Sequence, residues 1–152
     1  MERLLLAILI VYQQNFKILH WCASGAEFHT QHDQANKYYS KLEDDIDNVA
    51  EICMMNDIRP LNTKEAFSML DESNEQYLQL HTDVDYKMED FISYTGIMFD
   101  SILKTINNIL DKLENDESIY SKNSVGIKSY LENLYYEYDK EFRYINARRS
   151  AK

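Results

Sequence analysis

Chain-breaking residues are nearly absent: the 152 residues contain three glycines and one proline. A fold of many short strands must reverse direction every few residues, and tight turns draw on Gly and Pro for backbone angles that other residues resist. So few turn formers favour long helices with short connections. The apolar pattern agrees. Leu5, Ile8, Tyr12, Phe16 and Leu19 recur every three or four residues, the spacing of one helical face. Ser24, Gly25 and Glu27 then offer a break and a capping-box-like restart. Phe28, His32, Ala35, Tyr39, Leu42, Ile46, Val49 and Cys53 trace a second long stripe. Pro60 bounds it, because the ring disfavours helix at Arg59.

Asn62 with Glu65 forms another capping box and opens a short apolar stretch through Ala66, Phe67, Met69 and Leu70. A third long pattern runs through Val84, Met88, Phe91, Thr95, Met98, Ile102, Ile106, Ile109 and Leu113, interrupted by Gly96. The polar run Glu114 to Ser118 reads as the next loop, and Ile127, Leu131, Leu134, Tyr138, Phe142 and Ile145 mark a fourth long helix. The expected fold is all-α: a four-helix bundle with a short extra helix in the connection between the second and third long helices. Short links make the first pair antiparallel, and likewise the last pair, while the middle connection of about two dozen residues can cross the bundle end to end, as in ferritin-like bundles. One domain is expected over residues 1–147, followed by a basic tail at 148–152 that holds Arg148, Arg149 and Lys152.

Charge narrows the partners. Twenty-six acidic against sixteen basic residues give a formal net charge of -10, which repels nucleic acid and anionic lipid and attracts cations to any carboxylate-lined cavity. DNA binding and membrane association are not expected; metal ions are. Cys22 and Cys53 form no C-x-x-C motif, so free thiols in a reducing compartment, the cytoplasm, are the simpler expectation. The apolar run Leu4 to Val11 is too short to span a bilayer. Glu2 before it and Tyr12, Gln13, Gln14 and Asn15 after it do not suit a cleaved leader, which leaves a buried first helix.

None of the four histidines has Glu three residues before it, since positions 17, 26, 29 and 78 are Lys, Ala, His and Leu. The intrachain di-iron centre made from two Glu-x-x-His motifs therefore cannot be built here. What stands out instead is L-H-W at 19–21, G-x-x-F at 25–28, His32, and D-x-x-x-E at 47–51, followed by Pro60. In order and spacing this resembles the signature of the Dps family of miniferritins. The specific motif spans residues 19–60; the order of the helices extends the likeness, more weakly, over the whole chain.

The spacing poses a problem of reach. His20 lies about one turn before the corner at Ser24 and Gly25, and His32 about two turns after it, so antiparallel helices can bring both imidazoles to one depth. His32 and Asp47 are fifteen residues apart on one helix, roughly 22 Å at about 1.5 Å per residue. One chain cannot close the site. If two second helices pack antiparallel about a two-fold axis, the histidine end of each lies beside the carboxylate end of the other. Asp47 and Glu51, four residues apart, share a face. Two imidazoles and two carboxylates with open positions suit ferrous iron better than closed structural zinc.

The Dps resemblance implies a ferroxidase: Fe(II) held by His20, His32, Asp47 and Glu51, with Glu51 bridging toward a second iron. Hydrogen peroxide or oxygen would be the oxidant, and Fe(III) mineral would be stored in a hollow shell of twelve subunits. By the same likeness Trp21 lies near the metal, where an indole can stack or donate an electron. Two departures matter. Dps proteins usually carry an acidic residue one turn after the second histidine, and here that position is Asn36, a neutral amide; Asp33 could partly substitute. The chain also begins directly in the first helix, without the Lys-rich arm through which some Dps proteins hold DNA. A shell that kept the fold but lost catalysis, serving as a scaffold, is the alternative. His29 and His81 are assigned no ligand role. Packing accounts for the Tyr and Met residues, and Asp111, Glu114, Asp116 and Glu117 read as a solvated helix end.

Overall fold

The computed structural model describes residues 2–73, 77–115 and 124–150, with the side chains of residues 124, 125, 149 and 150 left aside. The described residues form five helices: α1 Glu2–Trp21, α2 Phe28–Met55, α3 Thr63–Glu72, α4 Met88–Asn115 and α5 Ser124–Ser150. The fold is all-α, four long helices and one short one in the expected order. α5 continues through residues 148–150, and the Arg148 guanidinium donates to Gln34 Oε1 at 2.9 Å.

Contacting pairs give the helix directions. His20 with His32 and Gln13 with Tyr39 run in opposite order along α1 and α2. Gln34 with Arg148 and Lys41 with Glu137 do so along α2 and α5, and Phe99 with Tyr138 and Glu114 with Lys128 along α4 and α5. α2 and α4 are therefore parallel, so the chain between them must travel the full length of the bundle. α3 sits in that crossing segment and packs on α1. Its Asn62–Glu65 capping box forms as expected, with Asn62 Oδ1 accepting from Glu65 N at 2.9 Å.

Two devices hold the crossing segment down. Asn15, buried in the middle of a helix, spends its amide on the passing backbone: Nδ2 donates to Leu78 O at 2.7 Å, and Oδ1 accepts from Leu80 N at 3.0 Å. Further on, Tyr86 N donates to Cys22 O at 2.8 Å and Ser24 N donates to Tyr86 O at 2.9 Å. The result is a single parallel bridge between the α1–α2 corner and the connector. The Tyr86 phenol adds bonds to both backbone groups of His81.

Phe99 on α4 is the centre of the core. Its ring is 1% exposed and lies 5.8 Å from Phe16 on α1, 5.1 Å from Tyr38 on α2 and 5.5 Å from Tyr138 on α5. One side chain thus touches all three other long helices.

Several local expectations are corrected. Glu27, not Ser24, is the N-cap of α2 and makes no side-chain cap bond; the Ser24 hydroxyl donates to Tyr86 O. The buried face of α2 is Gln31, Ala35, Tyr38, Leu42, Asp45, Val49, Ile52 and Cys53. Phe28, His32, Tyr39 and Ile46 lie toward the outer flank shared with α1. Apolarity alone hid the rotation, since Gln31 and Asp45 are buried polar residues with bonding partners. Val84 is exposed and precedes α4, which begins at Met88. α4 continues through Asn115, so Glu114 is helical; the remainder of the expected loop to Ser118 lies outside the described residues.

Gly96 is buried within α4, yet a β-carbon there would meet only Ile145 Cγ2 at 3.9 Å, an ordinary contact. Gly96→Ala should therefore stabilise the protein by about 0.5–1 kcal/mol through the lower backbone entropy of its unfolded chain. A thermal melt should show the midpoint rising by roughly 1–4 °C; an unchanged or lower midpoint would mean that the helices at this point cannot accept a methyl group.

Candidate metal centre

The α1–α2 corner brings His20 and His32 face to face, with ring centroids 3.6 Å apart and planes 21° from parallel. His20 Nδ1 lies 2.8 Å from His32 O, and His32 Nδ1 lies 2.9 Å from His20 O. A carbonyl oxygen only accepts, so each Nδ1 must carry the proton and donate. In the neutral ring that leaves each Nε2 with its lone pair free, the state in which imidazole binds metal. Aromatic neighbours complete the arrangement. Phe28 stacks beside His32 at 5.3 Å, and Tyr39 meets His20 edge-on at 5.5 Å. Trp21, next to His20, is 61% exposed.

Asp47 and Glu51 are exposed on α2, well beyond His32 along an unbroken helix. Among the described residues no three His, Cys, Asp or Glu side chains gather closely enough to hold a metal ion. A single chain therefore presents two nitrogen donors at one end of α2 and two carboxylates at the other, about 22–28 Å away. His29 is exposed at the start of α2, its ring edge-on to Phe28. His81 is held through its backbone by Tyr86.

The two flanks of α2 differ sharply in how their charges are satisfied. Toward α5, Lys41 Nζ lies 2.6 Å from Glu137 and 3.2 Å from Asp45, and 4.9 Å from the centroid of the Tyr138 ring. Tyr138 donates to Asp45 Oδ2 at 2.6 Å, and Tyr38 donates to Glu141 at 3.0 Å. Burial pushes the Asp45 carboxyl above its usual range although Tyr138 and Lys41 pull it down. For Lys41, burial alone would lower the pKa, but hydrogen bonds and charges from Glu137 and Asp45 more than offset that and raise it. Tyr138 and Tyr38 are both raised, first by burial and then by the carboxylates they face. This seam fixes the rotation of α2 about its own axis. It was missed in the sequence, where Lys41 and Asp45, four residues apart, were the available sign.

Away from α5 the picture reverses. Asp33, Asn36, Glu43, Asp44, Asp47 and Glu51 are all exposed, and none makes an ion pair or side-chain hydrogen bond with another described residue. The outward face of α2 is thus an uncompensated acidic stripe with an imidazole pair at one end. Among the described residues no helix is long and apolar enough to cross a membrane.

No family model matches the chain, and no curated protein sequence matches it either. Solved structures do. A DPS protein from Vibrio cholerae O1, described as a member of a broad superfamily of ferritin-like diiron-carboxylate proteins, is 19% identical. The match covers 96% of this chain and 84% of that one, with a TM-score of 0.78. A Listeria innocua Dps is 15% identical over 98% and 91% of the two chains, TM-score 0.80; in it two histidines twelve residues apart in that chain were replaced by glycine. Mycobacterium smegmatis Dps is 15% identical over 97% and 83%, TM-score 0.78. Over nearly its whole length the chain therefore shares the fold of these Dps structures, an all-α bundle of four long helices with a crossing connector.

Proposed function

We propose that the protein is a miniferritin that oxidises Fe(II) at centres shared between two-fold-related copies and stores the ferric product inside a hollow shell of about twelve chains. The observation that carries this reading is the reciprocal His20–His32 pair. Each ring commits its Nδ1 to a backbone carbonyl and leaves Nε2 as a free donor atom, which supports reading the pair as the nitrogen half of a metal centre, at one end of a helix whose other end displays unpaired carboxylates. Antiparallel pairing of two α2 helices supplies each imidazole pair with Asp47 and Glu51 of the second copy, and does so twice by symmetry.

In this centre iron is the substrate. The imidazoles and Asp47 hold the first ferrous ion, and Glu51 reaches toward a second. Each ferrous ion gives up one electron, and two together reduce the O–O bond of one peroxide, so no hydroxyl radical is released. The ferric product hydrolyses to oxide-hydroxide and frees protons. Where only one ferrous ion is bound, Trp21, next to His20 in the chain, supplies the second electron that peroxide needs, and Asn36 contributes an amide oxygen without charge. A shell that has lost catalysis is the second reading, favoured by that neutral Asn36 at an exposed position on the same face.

Anaerobic Fe(II) addition followed by peroxide separates the two. The expected result is ferric absorbance that stays in solution with a particle of about twelve chains by light scattering. A particle of that mass with no protein-dependent ferric signal would leave the scaffold reading, and a lone chain would exclude both.

A further inference from the structure

We infer that Lys37 and Asp44 form a reciprocal ion pair across the two-fold axis and set the register in which the two α2 helices meet. The inference rests on the shared-centre reading and adds the residues that position it.

Ser40 marks the middle of the outward face. It is nine residues from Val49, two and a half turns, so the two side chains point in opposite directions, and Val49 is buried against the core at 1% exposure. Lys37 and Asp44 lie three residues before and four after Ser40. At 3.6 residues per turn both fall on the same flank of that face, by about 60° and 40°. Setting His32 level with the midpoint of Asp47 and Glu51 on a second copy places the two-fold between Ser40 and Lys41. Lys37 of one copy and Asp44 of the other then stand at one height, each about 5 Å along the axis from the two-fold. A two-fold perpendicular to the pair of helices also keeps like flanks together, so the two side chains face each other, and symmetry repeats the pair on the far side of the axis.

Each residue is available for this. Asp44 is exposed and has no partner among the described residues. Lys37 has only a long contact, 3.7 Å to Glu141, with 67% of its side chain exposed. The need is also plain, since five carboxylates on this face of each copy would otherwise meet five more. Lys37 is the one cation on α2 that can turn toward them, Lys41 being engaged by Asp45 and Glu137. An exposed ion pair contributes little attraction in itself. Its force lies in discrimination, because like charges placed opposite each other at an interface are strongly disfavoured.

Charge exchange tests this with readouts that separate it from the parent reading. Lys37→Glu alone and Asp44→Lys alone should each weaken self-pairing by about 100-fold or more at low salt. The double variant Lys37→Glu/Asp44→Lys should pair like wild type. Mixing the two single variants should yield particles that contain both chains in equal number by native mass spectrometry, since each then offers the charge the other lacks. Both single variants assembling as well as wild type, or a double variant that stays dissociated, would overturn the register lock. The shared centre would survive that result as long as wild type pairs and oxidises iron. A wild-type chain that does not pair would overturn both.

Discussion

A His32→Ala chain and an Asp47→Asn/Glu51→Gln chain, each without iron oxidation alone, should recover it when unfolded, mixed and refolded together. The first variant keeps its carboxylates and the second keeps its imidazoles. In a mixed pair one centre inherits both defects, while the other receives intact histidines from one copy and intact carboxylates from the other. Random pairing makes half of the dimers mixed, so about a quarter of the wild-type centres should return. The result discriminates because α2 is one continuous helix: ligands separated by about 22 Å on a rigid rod cannot complement one another within a chain. Ferric absorbance after peroxide, compared between mixed and separately refolded samples, provides the measurement. No recovery in mixed particles of normal mass would place the chemistry somewhere other than between two copies.

Phe99→Ala should be the most damaging single change in the core. It removes a ring that is 1% exposed and touches Phe16, Tyr38 and Tyr138 on three different helices. Such a truncation costs about 3–5 kcal/mol from lost burial and the cavity left behind. For a chain of this size the melting midpoint should fall by roughly 6–20 °C. The same ring keeps α1, α2 and α5 in mutual register, so the variant should also bind Co(II) more weakly at the histidine pair at temperatures where it is still folded. A fall of only a degree or two would mean that neighbouring rings close the space.

Much of this was legible in the sequence, for physical reasons that can be named. Scarce Gly and Pro with a four-three apolar rhythm gave the helices. The Asn62–Glu65 box gave the short one, and the spacing of His20 and His32 about a Gly corner gave two imidazoles at one depth, though not their stacking. Rotation of α2 was harder to read. A helix flanked by two neighbours has two semi-buried edges, and the eye follows Phe28, Tyr39 and Ile46 when the deeply buried positions include Gln31 and Asp45. Buried polar residues carry no apolar signal, and their partners, Leu19 O on α1 for Gln31 and Tyr138 on α5 for Asp45, lie on other helices. Tyr86 was invisible for the same reason: its role depends on backbone bonds to Cys22 and Ser24, which no side-chain pattern encodes. Whether the carboxylates meet the histidines of another copy depends on an assembly, and the sequence argued it from reach alone.

The clasp at Tyr86 has a consequence for how the protein matures. Both imidazoles and both carboxylates of the proposed centre are synthesised within the first third of the chain, but the corner that carries His20 is fastened by backbone more than sixty residues downstream. A nascent hairpin leaving the ribosome would hold the ligands on an unpinned bend. Metal ions in the surrounding solution would meet loose histidines rather than a finished cradle, and loading would await the arrival of the connector.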